Sequence, residues 1–389
     1  MQIGLLVIDS GGIGGAPDAE RFGDKGANTL GHTAEAVGGL ALPHLAELGL
    51  AELLPMADIG RVPLKGFGMA VQSQANGKDT LAGHWEMMGI TVEHPFRTFA
   101  HGFPADIVAQ LEKAFGRSLL GNEVASGTEI IARLGPEHLR SGKPIVYTSA
   151  DSVLQIAAHE AVVPLDQLYA WCEAARAVMV GPNLVGRIIA RPFVGEPGRF
   201  ERTPHRRDLT VRPPGPTMVD VLQARGVETV AIGKIGDIFS GQGFERWIHT
   251  ENNRDGLERT VDVMLAPLNR PRFIFTNLVE FDSHYGHRRD VVGYARALKD
   301  LDSFLPRITA VLGTGDQLWI TADHGCDPTY RGTDHTRERL PWLAAGPGLT
   351  PGVGLPRNTL ADIAATLAVI FDAPVVGDGR PVAALQPHA

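Results

Sequence analysis

Cysteine is scarce. The 389-residue chain has two, Cys172 and Cys326, far apart in sequence, so disulfide stapling is not expected and a reducing compartment fits. A run of about 20 apolar residues is missing, which argues against a membrane-spanning helix. The amino-terminal segment MQIGLLVID has an apolar stretch too short for a signal-peptide core, and it lacks a basic leader. A cytoplasmic location is therefore expected. Basic residues are not in excess: Lys plus Arg is 36 against 44 Asp plus Glu, a net charge of −8. A general nucleic-acid binder needs a basic face, so nucleic acid is not an expected partner. A local basic pocket for phosphates stays compatible with that balance. Repeats and low-complexity tracts are also missing.

What is present suits two domains with a sizeable core, since hydrophobic residues make up 44% of the chain. IGLLVI (3–8) reads as a short buried strand followed by Asp-Ser-Gly-Gly. Similar strand-then-loop units lie at 228–232, 272–279 and 317–322. Helical patterns lie at 29–47, 254–268, 290–312 and 359–371. This alternation predicts an α/β fold with a central, mainly parallel sheet flanked by helices. Ligands of such sheets bind beyond the carboxyl ends of the strands. Residues 97–216 break the rhythm and end in the Pro-rich VRPPGPT. They are expected to form a smaller inserted domain, with the core built from 1–96 and 217–389.

Acids and histidines gather at the expected strand ends. Asp9 follows IGLLVI, Asp282 and His287 follow FIFTNLVE, Asp323 and His324 follow QLWITA, and His335 stands in the turn-rich loop beyond. One Asp after a strand is ordinarily a helix cap. Three carboxylates at one sheet edge need compensating cations. Mixed oxygen and imidazole ligands suit Mn, Zn or a similar ion in an open site. Six ligands divide sensibly between two ions, the usual clamp for in-line phosphoryl displacement. In GKDTLAGHWE (77–86), Thr80 reads either as a plain cap or as a nucleophilic hydroxyl at a helix start. GGIGG (11–15) fails as a dinucleotide loop because Pro17 takes the third Gly position. Its glycines read instead as backbone passing close to the metal site. His84 reads equally as a site residue or a satisfied core histidine. Cys326 reads as a small buried filler and Cys172 as core. The basic run ERTPHRRD is a solvated surface or a phosphate contact.

The segments VIDSGGIGGAPDAERFGDKGANTLGH, GKDTLAGHWEMMGI, VYTSADSVLQIAAHE, IARPFVGEP, GKIGDIFSGQG, FDSHYGHRRD and TADHGCDPTYRGTDHTRE resemble, in order and over nearly the whole chain, the phosphopentomutase family of the alkaline phosphatase superfamily. The resemblance implies an alkaline-phosphatase-like core with an inserted cap, and two Mn2+ ions. It assigns Asp9, Thr80, Asp323 and His324 to one ion and Asp282, His287 and His335 to the other, with Thr80 reaching both and carrying the phosphoryl group. It implies interconversion of ribose (or 2-deoxyribose) 1-phosphate and 5-phosphate, primed by glucose 1,6-bisphosphate or ribose 1,5-bisphosphate. It places the second phosphate on Arg187, Arg202 and Lys234, with Arg191 as a fourth, and the sugar hydroxyls on Asp151. Cys326 stands where the family's usual residue is Asn. Ser283, His284 and the stretch 202–211 also depart from its pattern, which bears on sugar preference. The competing readings are a phosphatase or other phosphotransferase of the superfamily, acting on another sugar phosphate, and a non-catalytic phosphosugar binder. The latter predicts lost ligands, yet all seven metal-site positions hold competent residues.

Overall fold

The computed structural model describes residues 1–55, 58–149 and 152–386. The chain divides into two units: residues 1–93 with 212–389, and residues 94–211. These boundaries fall a few residues from the 97 and 216 that the composition shift predicts.

The first unit is built on an eight-stranded sheet. Its order is Arg246–Ile248, Glu228–Ile232, Arg272–Leu278, Gln2–Ile8, Gln317–Ala322, Leu340–Ala345, Phe67–Val71 and Gly352–Val353. The first five strands run parallel, and Leu340–Ala345 is antiparallel to both neighbours. The three central strands are buried along their whole length. That is why they read as unbroken apolar runs rather than alternating ones. Strand register positions the site residues. Ile8 pairs with Leu278 on one side and Ala322 on the other, so the three strands end level. Asp9 and Asp323, each one residue further on, therefore leave the sheet side by side.

Helices cover the sheet. Val291–Thr309 buries Tyr294, Leu298, Leu301, Leu305 and Ile308, a single stripe at helical spacing. The helical pattern expected over 29–47 is two helices, Thr29–Ala36 and Pro43–Glu47. Gly38 and Gly39 at φ 72° and 108° break it, a left-handed conformation that glycine adopts without penalty, and Pro43 opens the second piece. No helix among the described residues is long and apolar enough to cross a membrane.

The inserted unit is α/β as well. Its sheet runs Leu120–Val124, Ile145–Thr148, Val153–His159, Arg187–Val194 and Glu201–Arg202, with Arg207–Thr210 also paired to Arg187–Val194. Successive side chains alternate between two cores. Val146, Leu154, Ile156, Ile188 and Ala190 pack with helices Ala105–Phe115 and Leu165–Val178. Ile145, Tyr147, Ala157 and Phe193 pack with helix Gly127–Ser141.

His138 locks that second core. It is fully buried, its Nδ1–H donates to the Lys143 carbonyl at 2.7 Å, and its Nε2 accepts the His159 N–H at 2.8 Å. Both bonds require the neutral ring, and burial lowers its pKa. A base with a lowered folded pKa is protonated first in the unfolded state. Its stabilisation is therefore present above about pH 6.5 and falls by about 1.4 kcal/mol per pH unit below it, until the folded pKa is reached. Protection factors of the amides in strands Ile145–Thr148 and Val153–His159, taken against the intrinsic exchange rate at each pH, should fall between pH 7 and 5. In His138→Gln this pH dependence should flatten; an unchanged slope would refute the assignment.

Candidate metal centre

The level strand ends place their side chains in one buried cluster. Each carboxylate is held by part of its surface. Asp323 Oδ1 accepts the Ser10 and His324 backbone N–H groups, each at 3.1 Å, and Asp9 Oδ2 accepts from Asn277 Nδ2 at 3.1 Å. Asp282 lies on a π-helical turn, Phe281–Gly286, in which the His287 N–H donates back to the Asp282 carbonyl at 3.0 Å. Such single turns are common at functional sites.

The other oxygens are bare. Asp9 Oδ1, Asp323 Oδ2 and Asp282 Oδ1 are buried without a hydrogen-bond partner among the described residues. They face imidazole nitrogens. His324 Nε2 lies 3.5 Å from Asp9 Oδ1 and 3.2 Å from Asp323 Oδ2. His335 Nε2 lies 3.3 Å from Asp282 Oδ1, and His287 Nε2 lies 3.3 Å from Asp282 Oδ2. The opposite ring nitrogens set the tautomers. Nδ1 of His287, His324 and His335 meets the carbonyls of Thr333, Gly325 and Lys78 at 2.6, 3.1 and 2.8 Å. A carbonyl only accepts, so each Nδ1 carries a proton and Nε2 is the nitrogen turned inward; the facing carboxylates, outweighing burial, raise the pKa of all three rings, so Nε2 attracts a proton or a metal ion. Nε2 of His287 and His335 are 3.1 Å apart, close enough for a proton on one to be shared with the other or for one cation to lie against both.

Electrostatics agree. Burial, then the Asp323 and Asp282 charges, push the Asp9 carboxyl well above its ordinary range. Burial also opposes ionisation of Asp323, but His324 and His84 outweigh it and hold that group well below its ordinary range. An uncompensated pocket thus cannot keep all its acids ionised. Two overlapping groups have all their ligand atoms within 4.8 Å of one another: Asp9 with Asp323 and His324, and Asp282 with His324 and His335. Cys326 Sγ forms a further group with Asp282 and His287. The donor set fits divalent cations.

Thr80 opens helix Thr80–Met87. Asp79 is the N-cap, its carboxylate accepting the Ala82 N–H at 3.1 Å. Thr80 Oγ1 stands 3.2 Å from His324 Nε2. Close packing fixes it there: a Cβ at Gly83 would lie 2.4 Å from the Asp323 carbonyl oxygen. His84, fully buried, sits 2.9 Å from the Thr80 carbonyl and 3.2 Å from Asp323 Oδ2 through Nδ1, and faces Asn277 Nδ2 through Nε2 at 3.3 Å. It ties the Thr80 turn to the acid cluster. The glycine loop after Asp9 closes on Glu338, which accepts the Gly14 and Thr29 N–H groups.

All seven expected metal-site residues thus lie in this cluster. Lys234 belongs to the same unit and is near enough to Asp9 to lower its pKa against the stronger upward push of burial. Arg187, Arg191 and Arg202 lie in the inserted unit. Arg187 approaches Asp208 at 3.9 Å, and Arg191 donates to Gln155 at 3.0 Å. Asp151 lies outside the described residues. Asn277 is not among the residues the sequence points to; its only signal is an amide inside the apolar run FIFTNLV.

The Metalloenzyme superfamily model matches residues 1–374. The phosphopentomutase of Caldanaerobacter subterraneus subsp. tengcongensis is 52% identical over 95% of this chain and 93% of its own. The chain belongs to the phosphopentomutase family. The phosphopentomutase of Alkaliphilus oremlandii agrees, with 49% identity over 97% of this chain and 96% of its own. Among solved structures, a Leishmania mexicana phosphoglycerate mutase aligns over 97% of this chain and 96% of its own at 14% identity, with a TM-score of 0.48.

Proposed function

We propose that this enzyme interconverts ribose 1-phosphate, or 2-deoxyribose 1-phosphate, and the corresponding 5-phosphate through phosphorylated Thr80 and a sugar bisphosphate. The observation that carries the reading is the Thr80 hydroxyl beside buried, bare carboxylate oxygens and inward-facing Nε2 atoms, in a chain about half identical to named phosphopentomutases. Asp9, Asp323 and His324 with Thr80, and Asp282, His287 and His335, would hold two Mn2+ ions. When bound, the ions supply the positive charge that neutralises the carboxylates and balances charge developing on a transferred phosphoryl group.

The Thr80 residue carries the phosphoryl group between turnovers. A sugar hydroxyl oxygen bonds to phosphorus, the bond from phosphorus to Thr80 Oγ1 breaks, and the hydroxyl proton ends on Thr80 Oγ1. The resulting bisphosphate turns around. Thr80 Oγ1 then takes the other phosphoryl group, and the sugar leaves as the isomeric monophosphate. Glucose 1,6-bisphosphate or ribose 1,5-bisphosphate would load Thr80 initially. With primed enzyme and ribose 1-phosphate, the expected product is ribose 5-phosphate without inorganic phosphate. Stoichiometric release of phosphate would favour a phosphatase and reject the mutase.

A mutase must hold the substrate's second phosphate while the first reacts. Arg187, Arg191, Arg202 and Lys234 are proposed for that, and Asp151 for the sugar hydroxyls. Guanidinium suits the task because its fork pairs two phosphate oxygens. Arg202→Ala should lower kcat/KM for ribose 5-phosphate about 10- to 150-fold, the worth of one charged hydrogen-bonding partner. Slow hydrolysis of a small aryl phosphate, which has no second phosphate, should survive nearly intact. If both activities fall together, Arg202 acts on the fold or the metal centre instead.

A further inference from the structure

Residues 72–79 join strand Phe67–Val71 to helix Thr80–Met87 and belong to no helix or strand, yet Ser73, Ala75 and Gly77 are buried. Buried backbone groups need hydrogen-bond partners, and here two side chains supply them. The Glu86 carboxylate takes the donors. Its Oε1 accepts the Gln74 N–H at 2.8 Å, and its Oε2 accepts the Ala75 N–H at 3.1 Å and the Ser73 hydroxyl at 2.6 Å. The Arg337 guanidinium takes the acceptors. Its Nη2 donates to the Ser73 carbonyl, and its Nη1 to the Ala75 and Gly77 carbonyls at 3.1 and 3.2 Å. Loops ordinarily run over the surface with their polar groups in water. This one is held by a carboxylate and a guanidinium that are both buried, groups costly to bury without such partners.

The two anchors stand on the elements that carry the metal centre. Glu86 is on the Thr80 helix itself, so its bonds tie the segment back onto that helix. Its Oε1 also accepts the Thr359 hydroxyl at 2.7 Å and the Leu360 N–H at 3.0 Å, which fixes the carboxylate from the far side. Arg337 lies two residues beyond His335, and Asp18 holds its fork through Nε and Nη2 at 2.9–3.1 Å. The segment they grip ends at Lys78, whose carbonyl accepts the His335 Nδ1–H, and at Asp79, which caps the Thr80 helix. Arg337 therefore acts on His335 through residues 73–78, and Glu86 acts on Thr80 through the same residues.

We propose that Arg337 and Glu86 are positioning residues: they hold residues 73–78 so that Thr80 and His335 keep one placement about the metal centre. The role at Thr80 rests on the proposed mutase function; the role at His335 bears on metal binding alone. A segment released from either anchor would shift the Lys78 carbonyl, which sets the His335 ring, and the cap from which the Thr80 helix starts.

Arg337→Lys keeps a positive charge beside Asp18 but cannot span three carbonyls. In the full-length protein, calorimetric titration with Mn2+ should show one ion bound about tenfold or more weaker, the usual loss when the partner of a metal-binding histidine is disturbed. Loading of Thr80 from glucose 1,6-bisphosphate, followed by mass spectrometry, and kcat for ribose 5-phosphate should each fall about 100-fold, the cost of misplacing a reacting group by about 1 Å. KM should change little, because no substrate contact is lost. Glu86→Gln, which turns an amide N–H group toward backbone donors, should reproduce the slow loading. Asp18→Asn leaves the three carbonyl bonds in place and should lower Tm alone. Wild-type Mn2+ affinity, or wild-type loading of Thr80, in a folded Arg337→Lys overturns the proposal. If neither Arg337→Lys nor Glu86→Gln folds, the pair is structural and the positioning role is rejected. Failure of the mutase reading would show separately, as phosphate release from ribose 1-phosphate while Mn2+ still binds more weakly to Arg337→Lys.

Discussion

Thr80→Ala is expected to lose mutase activity by on the order of 10⁴-fold or more, because removing a covalent nucleophile removes the reaction path and not merely one contact. The expectation rests on how little else the substitution disturbs. Thr80 is the first helical residue, but the cap is Asp79, whose carboxylate holds the Ala82 N–H. Alanine is a good helix former at such a position. The His84 contact is to the Thr80 carbonyl, which alanine retains. The Gly83 approach to Asp323 is likewise unaffected. Fold and acid cluster should therefore survive, and the loss should be chemical. Incubation of wild type with glucose 1,6-bisphosphate should leave one phosphoryl group on the peptide carrying Thr80. The variant should take none, while its thermal melt stays close to wild type. A phosphorylated residue elsewhere, or a fully active variant, would remove Thr80 from the mechanism.

Much of this site is legible in the sequence because the fold makes it local. Gln2–Ile8, Arg272–Leu278 and Gln317–Ala322 are buried on both faces, so they stand out as apolar runs, and the residues after them stand out as acids and histidines. The illegible features fall into two kinds. The carbonyls of Thr333, Gly325 and Lys78 decide which imidazole nitrogen faces inward, and a carbonyl has no residue identity to notice. Asn277, His84 and Asp9 lie far apart in sequence and meet only through strand register and helix docking. The break of the 29–47 pattern is legible in principle from Gly38, Gly39 and Pro43. There the apolar spacing on either side masks the breakers.

Asp323→Asn should cost nearly all turnover and most of the metal affinity, and should also lower the stability of the metal-free protein. The two halves of that expectation share one cause. Asp323 Oδ2 is buried and bare, beside Asp9, whose carboxyl burial and the Asp323 charge push well above its ordinary range. Without cations His324 and His84 still outweigh burial and hold the Asp323 carboxyl well below its ordinary range, so its charge stabilises the fold at neutral pH. An asparagine keeps an oxygen for the Ser10 and His324 N–H groups and removes the charge. With cations the charge gains a further role as a ligand. Ligand at about a hundredfold over its Kd stabilises the native state by about 2.7 kcal/mol, worth about 3 °C in Tm for a protein of this size. Wild type should gain that on addition of Mn and lose it, with its activity, in chelator; added Mn should restore both. The variant should show almost no Mn-dependent shift, and its Tm in chelator should lie below that of wild type. A variant whose Tm in chelator equals or exceeds that of wild type would show that the His324 and His84 contacts to Asp323 do not stabilise the metal-free fold. Full wild-type activity in chelator without added metal would remove the metal ions from the chemistry altogether.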